Sequence, residues 1–425
     1  MFNKSQLLSG IKWTTTGTIV NAVAALLKIS ILARFLDKSD FGLMALVTLV
    51  MGFMNLFNDM GLTSAVLHTQ NITKQQYASL YWFNLGFSIL LYSLLLGVTP
   101  FISYFYEEPE LNLLIPLLGL NLIISAIGRI FKTIETKYLL FKSITIFDII
   151  AAGISLFFAV FLAVNNYGVL SLVYAALLQY SVQHILYFIL GLKKYGLLWY
   201  YKYRAVRPFL KIGIYQVGGQ VINYFNRDLD ILIVGKFFSQ DVLGGYSLAK
   251  QLVFRPAQIL NPILVKVATP TLAKLQDKGL LLKENYLKLI SIVAKVNILI
   301  YALLIAFAPV VVGLFYGDDF NEIIPLVRIL SIYMFFRAIG NPVGSLVIAT
   351  GKTKLEFVWN FITLLILPGF IYIGAKAGIK EVAWALTFAM IVLFYPSWKF
   401  LIHKMIGASF KEYIRAVLNP LLIFR

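Results

Sequence analysis

The chain has 425 residues, of which 60% are hydrophobic and 13% charged, with a mean hydropathy of +0.83; soluble domains carry roughly 25% charged residues, so a water-soluble fold is excluded. The formal charge is +18, but the cations lie among apolar stretches and the short breaks between them, which points to membrane topology and away from nucleic acid. Cysteine is absent, which excludes disulfides, thiolate catalysis and cysteine-ligated metals.

The N-terminus, MFNKSQLLSG, lacks the small-residue cleavage site of a signal peptide, so the first helix is expected to stay in the protein. A helix crossing the ~30 Å hydrocarbon core needs about 20 mostly apolar residues. In chain order, such stretches predict helices over 10–34, 41–66, 80–104, 111–131, 144–164 and 168–191. Six more follow over 209–234, 244–270, 286–308, 323–349, 355–374 and 382–401. No alternating ten-residue barrel pattern recurs, so the expected fold class is an all-α integral membrane protein of about twelve transmembrane helices. The tail, KEYIRAVLNPLLIFR, is too short to span and reads as the start of a truncated further helix.

Lysine and arginine in short loops are retained on the cytoplasmic side. They gather in alternate breaks, as in Lys132, Lys137 and Lys142, or Lys193, Lys194, Lys202, Arg204 and Arg207, whereas Glu107, Glu108, Glu110, Asp318, Asp319 and Glu322 mark the opposite side. The expectation is a multi-pass protein of a bacterial inner membrane with a cytoplasmic N-terminus.

The stretch TGTIVNAVAALLKISILARFLDKSDFGLMAL from Thr16 aligns without gaps with GGQVINYFNRDLDILIVGKFFSQDVLGGYSL from Gly218. Asn21 meets Asn223, Ile31 meets Ile233, Arg34 meets Lys236, Phe35 meets Phe237 and Gly42 meets Gly244. Six helices per repeat is an even number, so this is a parallel repeat of two six-helix lobes, 1–204 and 205–408, with 409–425 as the truncated helix. Parallel-repeat bundles typically carry substrates, by alternating access at the repeat interface. In the seventh helix, Gln216, Gln220 and Asn223 share a face with Arg227 and Asp230, and Thr14, Thr18 and Asn21 repeat that stripe in the first. Lipid cannot satisfy polar groups, so these stripes are expected to line a shared cavity, the competing reading being helix-to-helix hydrogen bonding.

Ionisable groups at membrane depth cost roughly 2.5 to 3.5 kcal/mol or more each and demand a pairing or functional reason. The candidates are Lys28, Asp59, Arg227, Asp228, Asp230, Lys250, Arg255, Lys295, Arg328 and Arg337. Cations outnumber acids, and an arginine fork matches phosphate oxygens, so the expected cargo is an anion. Arg255 and Arg337 fall nearest the middle of their helices and are the leading pyrophosphate-binding residues, helped by Lys250, Lys295, Arg227 and Lys28. Arg227 could instead pair with Asp230 one turn away, and Lys28 with Asp230. Asp59, Asp228 and Asp230 are the carboxylates able to take up a coupling proton or sodium ion; no other cofactor is expected. Pro256, Pro262 and Pro270 are expected to bend the eighth helix.

The stretch FNRDLDILIVGKFFSQDVLGGYSLAKQLVFRPAQILNPILVKVATPTLAKLQ and its counterpart ILARFLDKSDFGLMALVTLV resemble the Wzx-type polysaccharide transporters, especially those like the colanic acid exporter. That family shares a superfamily with the flippase MurJ and the multidrug MATE exporters. The resemblance covers essentially the whole chain and implies a two-lobed flippase, not an enzyme. Its implied cargo is an undecaprenyl-diphosphate-linked oligosaccharide repeat unit, with membrane lipids and polysaccharide polymerase machinery as partners and a monomeric state. The family usually has about fourteen helices. An enzyme would need a sizeable extramembrane site, yet the breaks are short and His68, His184 and His403 are scattered. A MATE-like exporter of cationic drugs would favour acidic lining groups, and a passive lipid scramblase remains a third reading.

Overall fold

The computed structural model describes residues 4–418; the side chains of residues 4–8, 11, 212, 214–216, 261–267 and 270 lie outside the described set. Every described element is helical. The order is α1 (Lys4–Leu32), α2 (Lys38–Asp59), α3 (Leu62–His68), α4 (Lys74–Tyr106), α5 (Leu111–Gly119), α6 (Asn121–Lys137), α7 (Phe141–Val164), α8 (Val169–Tyr195) and α9 (Tyr203–Phe237). The chain continues through α10 (Gln240–Ala273), α11 (Gly279–Ala306), α12 (Ala308–Tyr316), a 3-10 turn (Asp318–Ile323), α13 (Ile324–Gly340), α14 (Val343–Thr350), α15 (Thr353–Ala375) and α16 (Ile379–Ser397). A π-helical stretch (Trp398–His403), α17 (Lys404–Ile406) and α18 (Phe410–Leu418) complete it.

Among the described residues, ten helical segments are long and apolar enough to cross a membrane. The two remaining stretches expected from sequence, α9 and α10, have the length at 35 and 34 residues but are interrupted by charge. Together they are consistent with twelve crossings. Several spans are divided where the backbone cannot stay helical. Between α2 and α3, Met60 (φ 46°) and Gly61 (φ 65°) are both left-handed. There α9 comes into backbone contact: a Cβ on Gly61 would lie 2.4 Å from the Gly213 Cα, and one on Gly213 only 1.9 Å from the Met60 carbonyl oxygen. Only paired glycines allow that approach. Pro342 divides α13 from α14, and the π-helical stretch follows Pro396, where a missing N–H disturbs the ladder. By contrast, α10 runs as one helix through Pro256, Pro262 and Pro270.

One compact unit comprises Met1–Tyr224 with Ser239–Gly244, and another comprises Phe225–Phe238 with Gly245–Arg425. In the first, Leu62, Leu80, Tyr81, Phe131, Ile134 and Tyr187 form a core. Glycines let α6 and α8 close on each other: a Cβ at Gly191 would strike the Phe131 ring at 2.1 Å, and one at Gly128 the His184 carbonyl oxygen at 2.5 Å. A buried polar knot ties α2, α4 and α6. Asn58 Nδ2 donates to the Leu122 carbonyl and to Ser125 Oγ at 3.1 Å each, Ser88 Oγ donates to Asn58 Oδ1 at 2.6 Å, and Asn84 Nδ2 donates to the Asn58 carbonyl at 2.9 Å.

In the second unit the core is built around Tyr286, Ile290, Ile339, Leu346, Trp398 and Tyr413. The described part of the tail is the amphipathic α18, whose Tyr413, Ala416 and Val417 are buried. Its start is fixed by a capping box, with Ser409 N–H donating to Glu412 Oε2 at 2.7 Å and Glu412 N–H to Ser409 Oγ at 3.2 Å. Residues 419–425 lie outside the described set.

Candidate functional site

The second unit gathers most of the charged candidates where α9, α10 and α13 supply one side-chain cluster. On α10, Tyr246, Lys250 and Phe254 recur every four residues and so share a face. On α13, Tyr333 and Arg337 do the same. From α9 come Asn226, Arg227, Asp228 and Asp230.

Lys250, 6% exposed, is the hub. Its ammonium donates to Asp230 Oδ1 at 2.6 Å, to the Arg227 carbonyl at 2.7 Å and to Asp228 Oδ1 at 3.2 Å, while resting over the Phe254 ring at 5.4 Å. An ammonium has three donors, and these partners engage all of them. The amine is therefore anchored inside the protein and does not snorkel. Asp230 also accepts from the Tyr246 hydroxyl at 2.6 Å. The pairing of Arg227 with Asp230 expected from helical spacing is not the one formed: Arg227 grips its neighbour Asp228, with Nε and Nη2 each 2.8 Å from Oδ2. Asp230 faces α10, so Lys250 rather than Arg227 neutralises it.

Arg337 lies beside this hub with no carboxylate partner among the described residues. Its Nη1 donates to the Tyr333 hydroxyl at 2.7 Å and to the Asn226 carbonyl at 3.5 Å, and its guanidinium stands over the rings of Phe254 at 5.7 Å and Tyr333 at 5.8 Å. Phe254, stacked on Tyr333, is thus shared by Arg337 and Lys250. Arg255 is half-buried and makes no hydrogen bond or ion pair with another described residue. The Lys295 ammonium on α11 is buried with no hydrogen-bond partner among the described residues. Arg328 is exposed and donates through Nε to the Ile305 carbonyl at 3.3 Å.

The other candidates lie in the first unit. Lys28 donates to Ser155 Oγ and Gln179 Oε1 at 3.2 Å each. Asp59 accepts from Thr63 Oγ1 at 2.5 Å and interacts electrostatically with Arg129, a cation on α6 well inside an apolar stretch and not among those expected from sequence. Arg129 Nη2 donates to Ser125 Oγ at 2.8 Å, and its Nη1 is buried without a hydrogen-bond partner among the described residues. In the first stripe, Thr18 Oγ1 turns back to the Thr14 carbonyl at 2.8 Å, and Asn21 Oδ1 is buried with no hydrogen-bond partner among the described residues. In the second, Gln220 and Asn223 are exposed, while the Gln216 side chain lies outside the described residues.

Long apolar helices bearing buried ion pairs define a multi-helix membrane protein. The fold is shared with the lipid II flippase MurJ in its inward closed conformation, at a TM-score of 0.79 with 14% identity, over 97% of this chain and 91% of that one. Residues 31–325 match the family described as polysaccharide biosynthesis protein, and the chain belongs to that family. It is similar to the lipopolysaccharide biosynthesis protein WzxC of Escherichia coli (strain K12), with 27% identity over 98% of this chain and 85% of that protein. It is likewise similar to the teichuronic acid biosynthesis protein TuaB of Bacillus subtilis (strain 168), with 26% identity over 98% and 86%. Fold and family together make the chain a multi-pass membrane protein of a polysaccharide biosynthesis family.

Proposed function

We propose that this protein flips an undecaprenyl-diphosphate-linked oligosaccharide repeat unit across the bacterial inner membrane, by alternating access along a basic, hydrated path, with its N-terminus in the cytoplasm. The observation that carries this reading is the imbalance of charge around Lys250. Asp228 and Asp230 are consumed by Arg227, Lys250 and Tyr246, while Arg337, Arg255 and Lys295 have no carboxylate partner among the described residues. Desolvated cations left this way are costly unless an anion completes them, and a pyrophosphate is such an anion. Arg337 suits the role best, because Nε and Nη2 of its fork bond to no described residue and can make two parallel bonds to phosphate oxygens. Bare charge entering hydrocarbon costs on the order of tens of kcal/mol, so such a cargo needs a basic path.

The same geometry argues against a cationic cargo, since the acids that would receive it are already paired. For ion coupling, Asp59 is a better acceptor than Asp228 or Asp230, because its hydrogen bond comes from the Thr63 hydroxyl, whereas those two are bonded by Arg227 and Lys250. Polymerase machinery as a partner and a monomeric state belong to this proposal as well. The test is accumulation of lipid-linked repeat units on the inner leaflet when the gene is deleted, restored by the wild-type chain. A passive scramblase would continue to equilibrate the lipid after proton and sodium gradients are collapsed, whereas the proposed carrier would stop accumulating it.

A further inference from the structure

The first unit contains a cavity of about 410 Å³ that plays no part in the reading above. It is built where three spans end on the same face of the unit. The first turns of α4 contribute Lys74, Tyr77 and Ala78, the end of α6 contributes Ile134 and Tyr138, and the end of α8 contributes Lys194 and Tyr195. The segment after α8 folds over it as a strap, with Leu197 and Leu198 in the lining. Trp82 Nε1 donates to the Leu198 carbonyl at 3.0 Å, and the Lys202 N–H donates to Ser79 Oγ at 3.1 Å. Beside the strap the indoles of Trp82 and Trp199 stack at 4.4 Å, with Trp199 90% exposed. Helix ends, exposed tryptophan and the cations Lys193, Lys194, Lys202 and Arg204 are the composition of a membrane–water interface.

The lining is mostly apolar but has a polar set that the protein leaves unused. Tyr77 Oη is buried and has no hydrogen-bond partner among the described residues, although buried hydroxyls are normally paired. Lys74 is exposed, makes no ion pair with another described residue, and stands in the first turn of α4, whose dipole favours anions. Lys194 adds a second ammonium, held at 2.8 Å by the buried Glu135, which also accepts from the Tyr195 hydroxyl at 2.5 Å.

We propose that this cavity is a binding site for an anionic phospholipid of the surrounding leaflet, its phosphate held by Lys74, Lys194 and the Tyr77 hydroxyl and its acyl chain by the apolar lining and strap. The volume suits a headgroup and the upper part of one chain. A zwitterionic lipid would bring its own cation against the two lysines and fit worse. The site would fasten the strap, and with it the start of α9, to the leaflet.

The test titrates the full-length protein in detergent with dioctanoyl phosphatidylglycerol, dioctanoyl phosphatidylcholine and inorganic phosphate, read by thermal midpoint and intrinsic tryptophan fluorescence. Phosphatidylglycerol should raise the midpoint saturably while the other two do not. Lys74→Glu should weaken its apparent affinity at least tenfold. Tyr77→Phe should weaken it severalfold while leaving the unliganded protein as stable or more so, because the hydroxyl it removes bonds to no described residue; a purely structural tyrosine would not behave this way. Equal shifts with phosphatidylcholine, saturation by phosphate alone, or unchanged binding in both variants would each overturn the proposal.

Discussion

Gly42 and Gly244, equivalent residues of the internal repeat, cross each other in backbone contact. A Cβ on Gly42 would sit 2.1 Å from the Gln240 carbonyl oxygen, and one on Gly244 would sit 1.8 Å from the Lys38 carbonyl oxygen. Lys38 and Gln240 are themselves repeat equivalents, so the contact is reciprocal. All four residues belong to the same compact unit. Replacing either glycine by alanine forces helix backbones apart, and overpacking of that kind costs typically 1 to 3 kcal/mol. Each single variant should lower the thermal midpoint in detergent, and the double variant should cost less than the sum, because one displacement relieves both clashes.

The Lys250 hub is expected to matter for folding more than for cargo. Lys250→Met leaves Asp228 and Asp230 facing a low-dielectric interior with one cation lost, a change that costs about 3 to 5 kcal/mol at buried pairs. Yield and midpoint should both fall, and adding Asp230→Asn should restore part of the loss. A Lys250→Met protein of wild-type stability that is defective only in export would make Lys250 a cargo ligand instead.

Glu412 connects α18 to α11 through its 2.6 Å ion pair with Lys283. The hydrogen bond from Lys283, followed by that from the Ser409 N–H, lowers its pKa from 4.5 to about 2. A depressed carboxylate contributes stability that is full above its unfolded value and is lost as pH falls through the folded one. Protection of α18 amides against hydrogen exchange should therefore be constant above about pH 5 and decline from there toward pH 2. In Glu412→Gln that decline should be absent. The pair is partly exposed and so weakened by solvent, and the effect should be confined to α18.

Topology is testable because the chain has no native cysteine. A cysteine at Lys194 should be shielded from a membrane-impermeant maleimide added to intact spheroplasts, whereas one at Glu108 should react. The opposite pattern would invert the orientation.

Much of the architecture was legible from hydropathy, since the twelve apolar stretches expected all fall on described helices, although 41–66, 111–131 and 323–349 are each divided between two. What was not legible depends on contacts. The Met60–Gly61 break sits inside an apolar run, and its cause is Gly213 pressing from a distant helix. Helical spacing offers Arg227 as a partner for Asp230, with Lys28 as an alternative; the partner Lys250 depends on how α9 and α10 are set against each other, which no local pattern encodes. Tyr333 was findable in principle, four residues before Arg337, but a survey restricted to charges overlooks a phenol. Arg129 is hard to read as buried because it lies only three residues before the basic break that starts at Lys132.

The central claim is that uncompensated cations in the second unit hold the cargo's pyrophosphate, and Arg337 and Arg255 test it most directly. Inner-leaflet accumulation of lipid-linked repeat units should be measured in deletion cells expressing Arg337→Ala, Arg255→Ala or Arg337→Lys at wild-type levels of folded, inserted protein. Both alanine variants should accumulate the intermediate as the deletion does, and Arg337→Lys should restore export in part, keeping the charge while losing the bidentate fork. Normal export by both alanine variants would contradict the account.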